Sequence, residues 1–187
     1  FFTALLSKSI DRLQLGLLFD REAIVDLAWD ESLPYLQDVN FMVRAASRGL
    51  RCAKLDSPVA MPRIHEGDRI SDVRGNAETS RLLTMKCGWY DHAFRNLKQI
   101  GGVKPIHKKA TAVALWREAH KLAPYNWDEA YPWFRRALDL WPDFRPKRSN
   151  NVFSVLDELV SPLTTERIVC PLRRYRLHFS EPMTLSD

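Results

Sequence analysis

LPYLQDVNFMVRAASRGLRCAKLDSPVAMPRIHEGDRIS, Leu33 to Ser71, sets a helix, a strand and a polar loop in succession, and the rest of the chain reads as its support. Pro34 suits a first helical turn, and Leu36, Val39, Val43 and Ala46 recur at a helical spacing, which predicts an amphipathic helix from about Tyr35 to Arg48. Gly49 stops it. Asp38 then sits in the first turn, where unpaired backbone N–H groups and the positive end of the helix dipole favour an ionised carboxylate. After Gly49 the run Leu50 to Leu55 alternates as a short strand does, and Pro58 ends it. The chain then enters a polar loop that carries Arg63, His65, Glu66, Asp68, Arg69 and Ser71.

These residues carry a resemblance. Leu36-Gln37-Asp38 followed by Phe41, Arg44, Ala45 and Arg48-Gly49, then a strand, then Arg63-x-His65 and Ser71, resembles the C-terminal half of the catalytic domain of family 2 glycosyltransferases. In that family a Glu-Asp pair opens a helix, an Arg and a Gly close it, and an Arg-x-His loop with serines follows. The match covers Leu15 to Ser71. It departs from the pattern at Gln37, where the family usually has Glu, while the following Asp, the family's catalytic carboxylate, is retained as Asp38. The family's first half, with its nucleotide-binding βαβ units and Asp-x-Asp metal motif, has no counterpart, and no Asp-x-Asp occurs in the sequence. Since the sequence starts at Phe1 rather than Met, a fragment is expected.

Composition bounds the alternatives. With 187 residues, 45% of them hydrophobic and 27% charged, the chain has the make-up of a globular protein and the length for one domain or two small ones. No apolar run approaches the roughly 20 residues that cross a bilayer, and no signal peptide is evident. The net charge of +5 is spread along the chain, densest at Lys147-Arg148 and at Arg173-Arg174-Tyr175-Arg176. A solvated face or an anion site would account for it; without a helix-turn-helix, RNA-recognition or zinc-finger pattern, nucleic acid is not an expected partner. Cys52, Cys87 and Cys170 are isolated and lack a Cys-x-x-Cys, which indicates neither a disulfide framework nor a zinc site and fits a reducing cytoplasm.

In chain order, Leu5, Leu6, Ile10 and Leu13 fall near helical spacing, and Leu15 to Phe19 suits a buried strand. Asp20 can cap a short helix to about Leu27. Trp29-Asp30-Glu31-Ser32 turns into the central helix, the indole available either to stack on a sugar ring or to pack in the core. Beyond Gly75-Asn76 the pattern is helical: about Glu78 to Leu97, a break at Gly101-Gly102, then Ala110 to Leu122 and Trp127 to Leu140. Glu118-Ala119-His120-Lys121-Leu122-Ala123-Pro124 aligns with Arg136-Ala137-Leu138-Asp139-Leu140-Trp141-Pro142, so 107–146 reads as a hairpin of tetratricopeptide flavour, too short for a repeat array and available to a protein partner. Trp116, Trp127, Trp133 and Trp141 are expected between its helices. A further helix is expected over Val152 to Val160, another element over Arg167 to Cys170, and a disordered tail over Ser180 to Asp187.

The fold class that follows is α/β over 1–75, a partial GT-A-like half with few strands, then a mainly helical accessory region over 76–187, helix-rich overall. The resemblance implies the acceptor side of an inverting, non-processive transferase that moves a sugar from a nucleotide-diphosphate sugar to a hydroxyl acceptor; no Gln-x-x-Arg-Trp of the processive synthases is present. Asp38 would be the base, or only a helix cap. His65 would complete coordination of a divalent metal, manganese or magnesium, or would be simply hydrogen-bonded. Arg63, Arg69 and Ser71 would meet the diphosphate, with pairing of the arginines to Glu66 or Asp68 as the bland alternative. The fragment alone would be inactive. The rival expectation is a non-catalytic helical interaction module carrying a glycosyltransferase remnant.

Overall fold

A computed structural model describes residues 1–7, 18–33, 36–51, 75–146 and 151–179. Eight helices occur among them: α1 (Phe2–Leu6), α2 (Arg21–Ile24), α3 (Gln37–Ser47), α4 (Asn76–Gln99), α5 (Pro105–Leu122), α6 (Trp127–Leu140), α7 (Asn151–Leu159) and α8 (Pro162–Phe179).

The centre is α5. Ala110, Ala112, Ala114, Leu115, Ala119 and Leu122 are all buried, so the helix is enclosed on most of its circumference and small side chains let its neighbours approach. The long helices α4 and α6 pack on two sides of it, and α1 packs on a third. Thr84 bonds Glu129 and Asp91 bonds Arg136, the same separation of 45 residues in both pairs, so α4 and α6 run parallel with α5 antiparallel between them. Short connections, Ile100 to Lys104 and Ala123 to Asn126, permit nothing else. At the first of them, Gly101 turns the chain at φ +72°, while the Gly102 and Gly101 N–H groups donate to the Leu97 and Lys98 carbonyls, a Schellman ending. A Cβ on Gly102 would lie 2.9 Å from Leu97 Cδ1.

The apolar core is continuous across residue 75. Phe2, Leu6, Phe41, Met42 and Val43 belong to the same buried cluster as Leu83, Tyr90, Phe94, Leu115 and Phe134. Aromatic rings fill its far end: Trp116 meets Phe134 at 4.7 Å and Phe144 at 5.1 Å, and Trp127 lies 5.8 Å from Phe134. Of the four tryptophans expected between the helices, Trp116 is buried, whereas Trp127, Trp133 and Trp141 are half-buried against the core. The fully buried ring is Phe134, one residue beyond Trp133 and therefore turned about 100° further round the helix.

Polar ties fasten α8. The Glu166 carboxylate, 0% exposed, accepts from His120 Nδ1 at 3.0 Å and pairs with Arg173, while Arg173 Nη1 donates to the His120 carbonyl at 2.8 Å. The Cys170 thiol donates to the Ala123 carbonyl at 3.1 Å.

Several expectations meet the structure directly. The central helix starts at Gln37 rather than Tyr35, because Leu36 is left-handed, φ 60°, and cannot continue a helix backwards. Asp38 keeps its place in the first turn, and Gly49 ends the helix at φ +75°. Asp20 caps α2, accepting from the Glu22 N–H at 3.0 Å. The helix at the C-terminal side is longer than expected, running through Pro171. No strand occurs among the described residues. Of the two expected strands, only Leu18, Phe19, Leu50 and Arg51 are described, none in a ladder, and Leu18 is exposed. The remaining strand positions and the 180–187 tail lie outside the described residues.

Candidate functional site

The site is built on α3. Two arginines one turn apart, Arg44 and Arg48, reach back from its C-terminal half to the preceding segment. Arg44 Nη2 donates to the Ala28 carbonyl at 2.5 Å and Nε to Asn40 Oδ1 at 2.8 Å. Arg48 forks onto Asp26, Nη1 to Oδ1 at 2.5 Å and Nη2 to Oδ2 at 3.1 Å. The Arg48 hydrogen bond holds the Asp26 carboxyl below its ordinary value. Asp30 Oδ1 then accepts from both the Ser32 N–H and hydroxyl, closing the turn that leads into α3.

These clamps place Trp29. Its indole stacks on Phe41, centroids 4.6 Å apart and planes 19° apart, with the Phe19 ring edge-on to Phe41 from another side. Trp29 is 55% exposed, so one face rests on Phe41 while much of the ring remains open. Phe41 lies three residues beyond Asp38, on the same side of α3. A half-buried carboxylate in the first turn and an exposed aromatic shelf stacked on Phe41 therefore belong to the same helix, α3.

A charge network backs it. Lys86 of α4 is half-buried; burial lowers its pKa, while the Glu118 carboxylate and, more weakly, Asp38 act in the other direction. Glu118, almost fully buried, accepts from Arg117 Nε at 2.8 Å and from Lys121 Nζ at 3.3 Å. Burial pushes its carboxyl up, yet Arg117, Lys121 and Lys86 together leave it below the ordinary value, so it is ionised. Arg117 also donates to the Leu6 carbonyl at 3.1 Å, tying α1 to α5. Nearby, burial raises the Tyr90 phenol to about 12 and pushes the Cys87 thiol up, so both stay protonated at neutral pH and neither is a ready nucleophile.

The structure thus stacks Trp29 on Phe41 and keeps Asp38 in the first turn of the same helix. Arg63, His65, Arg69 and Ser71 lie outside the described residues. Among the described residues no group of three or more His, Cys, Asp or Glu could hold a metal ion. Periodicity alone did not single out Lys86 or Glu118, although the signal was present. Lys86 sits between Leu82 and Tyr90, and Glu118 between Leu115 and Leu122, each a charge inside an otherwise apolar helical face. Two such charges of opposite sign on adjacent helices mark an electrostatic interaction between them.

Compared with protein families, curated proteins and solved structures, the chain matches none. No described helix is long and apolar enough to cross a membrane.

Proposed function

We propose that this chain is the acceptor side of an inverting, non-processive glycosyltransferase. The observation that carries the reading is the open indole of Trp29 stacked on Phe41, about one turn beyond Asp38 in the first turn of the same helix. The sugar acceptor would lie against Trp29 with its hydroxyl at Asp38. The carboxylate takes the hydroxyl proton as the acceptor oxygen bonds to the anomeric carbon from the face opposite the nucleoside diphosphate, which leaves with the electron pair of the broken C–O bond. Arg44 and Arg48 act indirectly, by holding the segment that carries Trp29. Within this reading, the diphosphate and any divalent metal fall to the segment with Arg63, His65, Arg69 and Ser71, and the nucleotide itself to a half that these 187 residues do not contain.

Asp38→Asn tests the base. Joined to a nucleotide-binding half, the variant should lose turnover by about a hundredfold or more while its stability falls by no more than about 1 kcal/mol, because Asp38 is a first-turn residue behind the Leu36 N-cap and the change removes only its charge at the helix start. Near-normal transfer by the folded variant would remove Asp38 from the mechanism. For the chain alone, micromolar binding of UDP or GDP in the presence of manganese would contradict the division of labour.

The second reading, a non-catalytic helical interaction module, is supported by α7. There Val152, Val155 and Leu159 are all exposed at i, i+3 and i+7, an apolar stripe of the kind that partners cover. Absence of any sugar transfer by the folded parent chain joined to a nucleotide-binding half would leave this reading standing.

A further inference from the structure

A cavity of about 510 Å³ opens between the first half of α4 and the turn from α5 to α6. Its size falls within the roughly 300–1,000 Å³ of small-molecule clefts. Asn76, Ser80, Arg81 and Thr84 supply one wall, at positions i, i+4, i+5 and i+8 of a single helical stripe; Tyr125, Asn126 and Glu129 supply the other. The walls are cross-braced. Thr84 Oγ1 donates to Glu129 Oε2 at 2.7 Å, and Asn126 Oδ1 accepts from the Glu129 N–H at 3.2 Å.

Two charges face this space without pairing. Arg81 has no hydrogen-bond or ion-pair partner among the described residues, and Glu129 Oε1 has none either, although both line one cavity. Elsewhere on the same two helices a guanidinium and a carboxylate do find each other, as Arg136 and Asp91 do about two turns further along, at 2.7 Å. The cavity that Arg81 and Glu129 both line has room for a small molecule that offers acceptors to the first and donors to the second.

Charge and lining narrow the class. A hydrocarbon would strip water from a guanidinium, a carboxylate and two amides without replacing it. A phosphate or polycarboxylate would meet Glu129, with Glu78 and Asp128 in the adjoining first turns. A bare cation would meet Arg81. A neutral polyol uses every group: vicinal hydroxyls donate to the carboxylate and accept from the guanidinium and amide N–H groups, while the Tyr125 ring with Ala77 and Met85 offers apolar surface to the C–H face of the ring. We propose that this cavity binds a neutral pyranose, as a saccharide site on the helical region separate from Asp38. It stands whether or not Asp38 is a base, since binding alone is at issue.

The experiment titrates the 187-residue chain with the methyl glycosides of glucose, galactose, mannose and N-acetylglucosamine, following backbone amides by NMR. Expected is saturable movement, for at least one of the four, at Asn76, Ser80, Thr84 and Asn126. Arg81→Met and Glu129→Gln should each weaken it by about tenfold or more, as loss of a hydrogen bond to a charged group does. Both side chains are exposed, so the variants should melt as the parent does. Ser80→Leu, which fills the cavity without altering charge, should abolish binding while α4 stays folded. The proposal is overturned if none of the four glycosides saturates, if the moving amides lie elsewhere, if the folded variants bind as tightly as the parent, or if glycine or inorganic phosphate saturates these amides in preference to every glycoside.

Discussion

The α4–α5–α6 layer and the α1–α3 segment hold themselves together by different means. In the layer, alanines and large rings interlock: Ala112, Ala114, Ala119, Ala130 and Ala137 bring the helices close, and Trp116, Phe134 and Phe144 fill what remains. In the segment, α2 is four residues long and fully buries no side chain, with only Ile24 partly packed on the core, so its position leans on Arg44 and Arg48 reaching across to Ala28 and Asp26. Packing is spread over many contacts, whereas clamping concentrates the geometry in two side chains. A part of a protein that presents an exposed ring beside a carboxylate cannot also bury them, and polar clamps give position without burial.

The largest test strikes the layer. Phe134→Ala should cost about 3–5 kcal/mol, read by denaturant unfolding, because the ring is 0% exposed and contacts two tryptophans. Trp133→Ala, at a half-buried position, should cost clearly less; equal costs would show that the layer does not depend on its centre. Next comes the α8 tie. Glu166→Ala leaves Arg173 with an uncompensated, largely buried charge and should cost about 3 kcal/mol, with amides of α8 losing exchange protection before those of α5.

Against the segment, Arg44→Met removes two hydrogen bonds and should cost about 1–2 kcal/mol. Its sharper readout is tryptophan emission, which should shift as Trp29 loses its fixed stack on Phe41. No change in emission would show that Phe41 alone holds the indole.

The smallest effect is that of pH. His107 accepts from the Lys104 N–H through Nδ1 and meets the Phe2 ring at 5.6 Å. Burial, with the Lys104 charge nearby, holds its pKa below the ordinary value. The unfolded chain therefore takes up this proton first as pH falls, so the fold loses stability below about pH 6.5, and the loss levels off once the folded imidazole is also protonated. Melting temperatures of the parent should fall more steeply between neutral and mildly acid pH than those of His107→Gln; parallel slopes would discard the residue as a source.

What could be read in the sequence divides along the same line. Helices α4, α5 and α6 announced themselves because apolar spacing, Gly101-Gly102 and the prolines after Leu122 and Leu140 are local signals with local causes. Asp38 at the first turn and Asp20 as a cap were legible for the same reason. Leu36 was not: a left-handed leucine is a decision of the surroundings, which a run of apolar residues cannot report. The partners of Arg44 and Arg48 lay 16 and 22 residues away with no periodic link, and the Arg81–Glu129 cavity depends on the α4–α6 register, fixed only once α5 lies between them.

The bond from Arg117 to the Leu6 carbonyl joins positions 111 residues apart, while the layer it fastens onto is made of helices that follow one another directly. Chain entropy therefore orders assembly in time. The three long helices can dock through short connections, whereas α1 must close a long loop before it gains anything, so it should join after the layer has formed. Read in reverse, α1 should be the first piece to leave, uncovering the sides of α5 and α3 on which it packs through an opening far cheaper than global unfolding. Amides of Leu5 and Leu6 should then exchange through that opening, while those of Ala114 and Leu115 wait for the whole molecule.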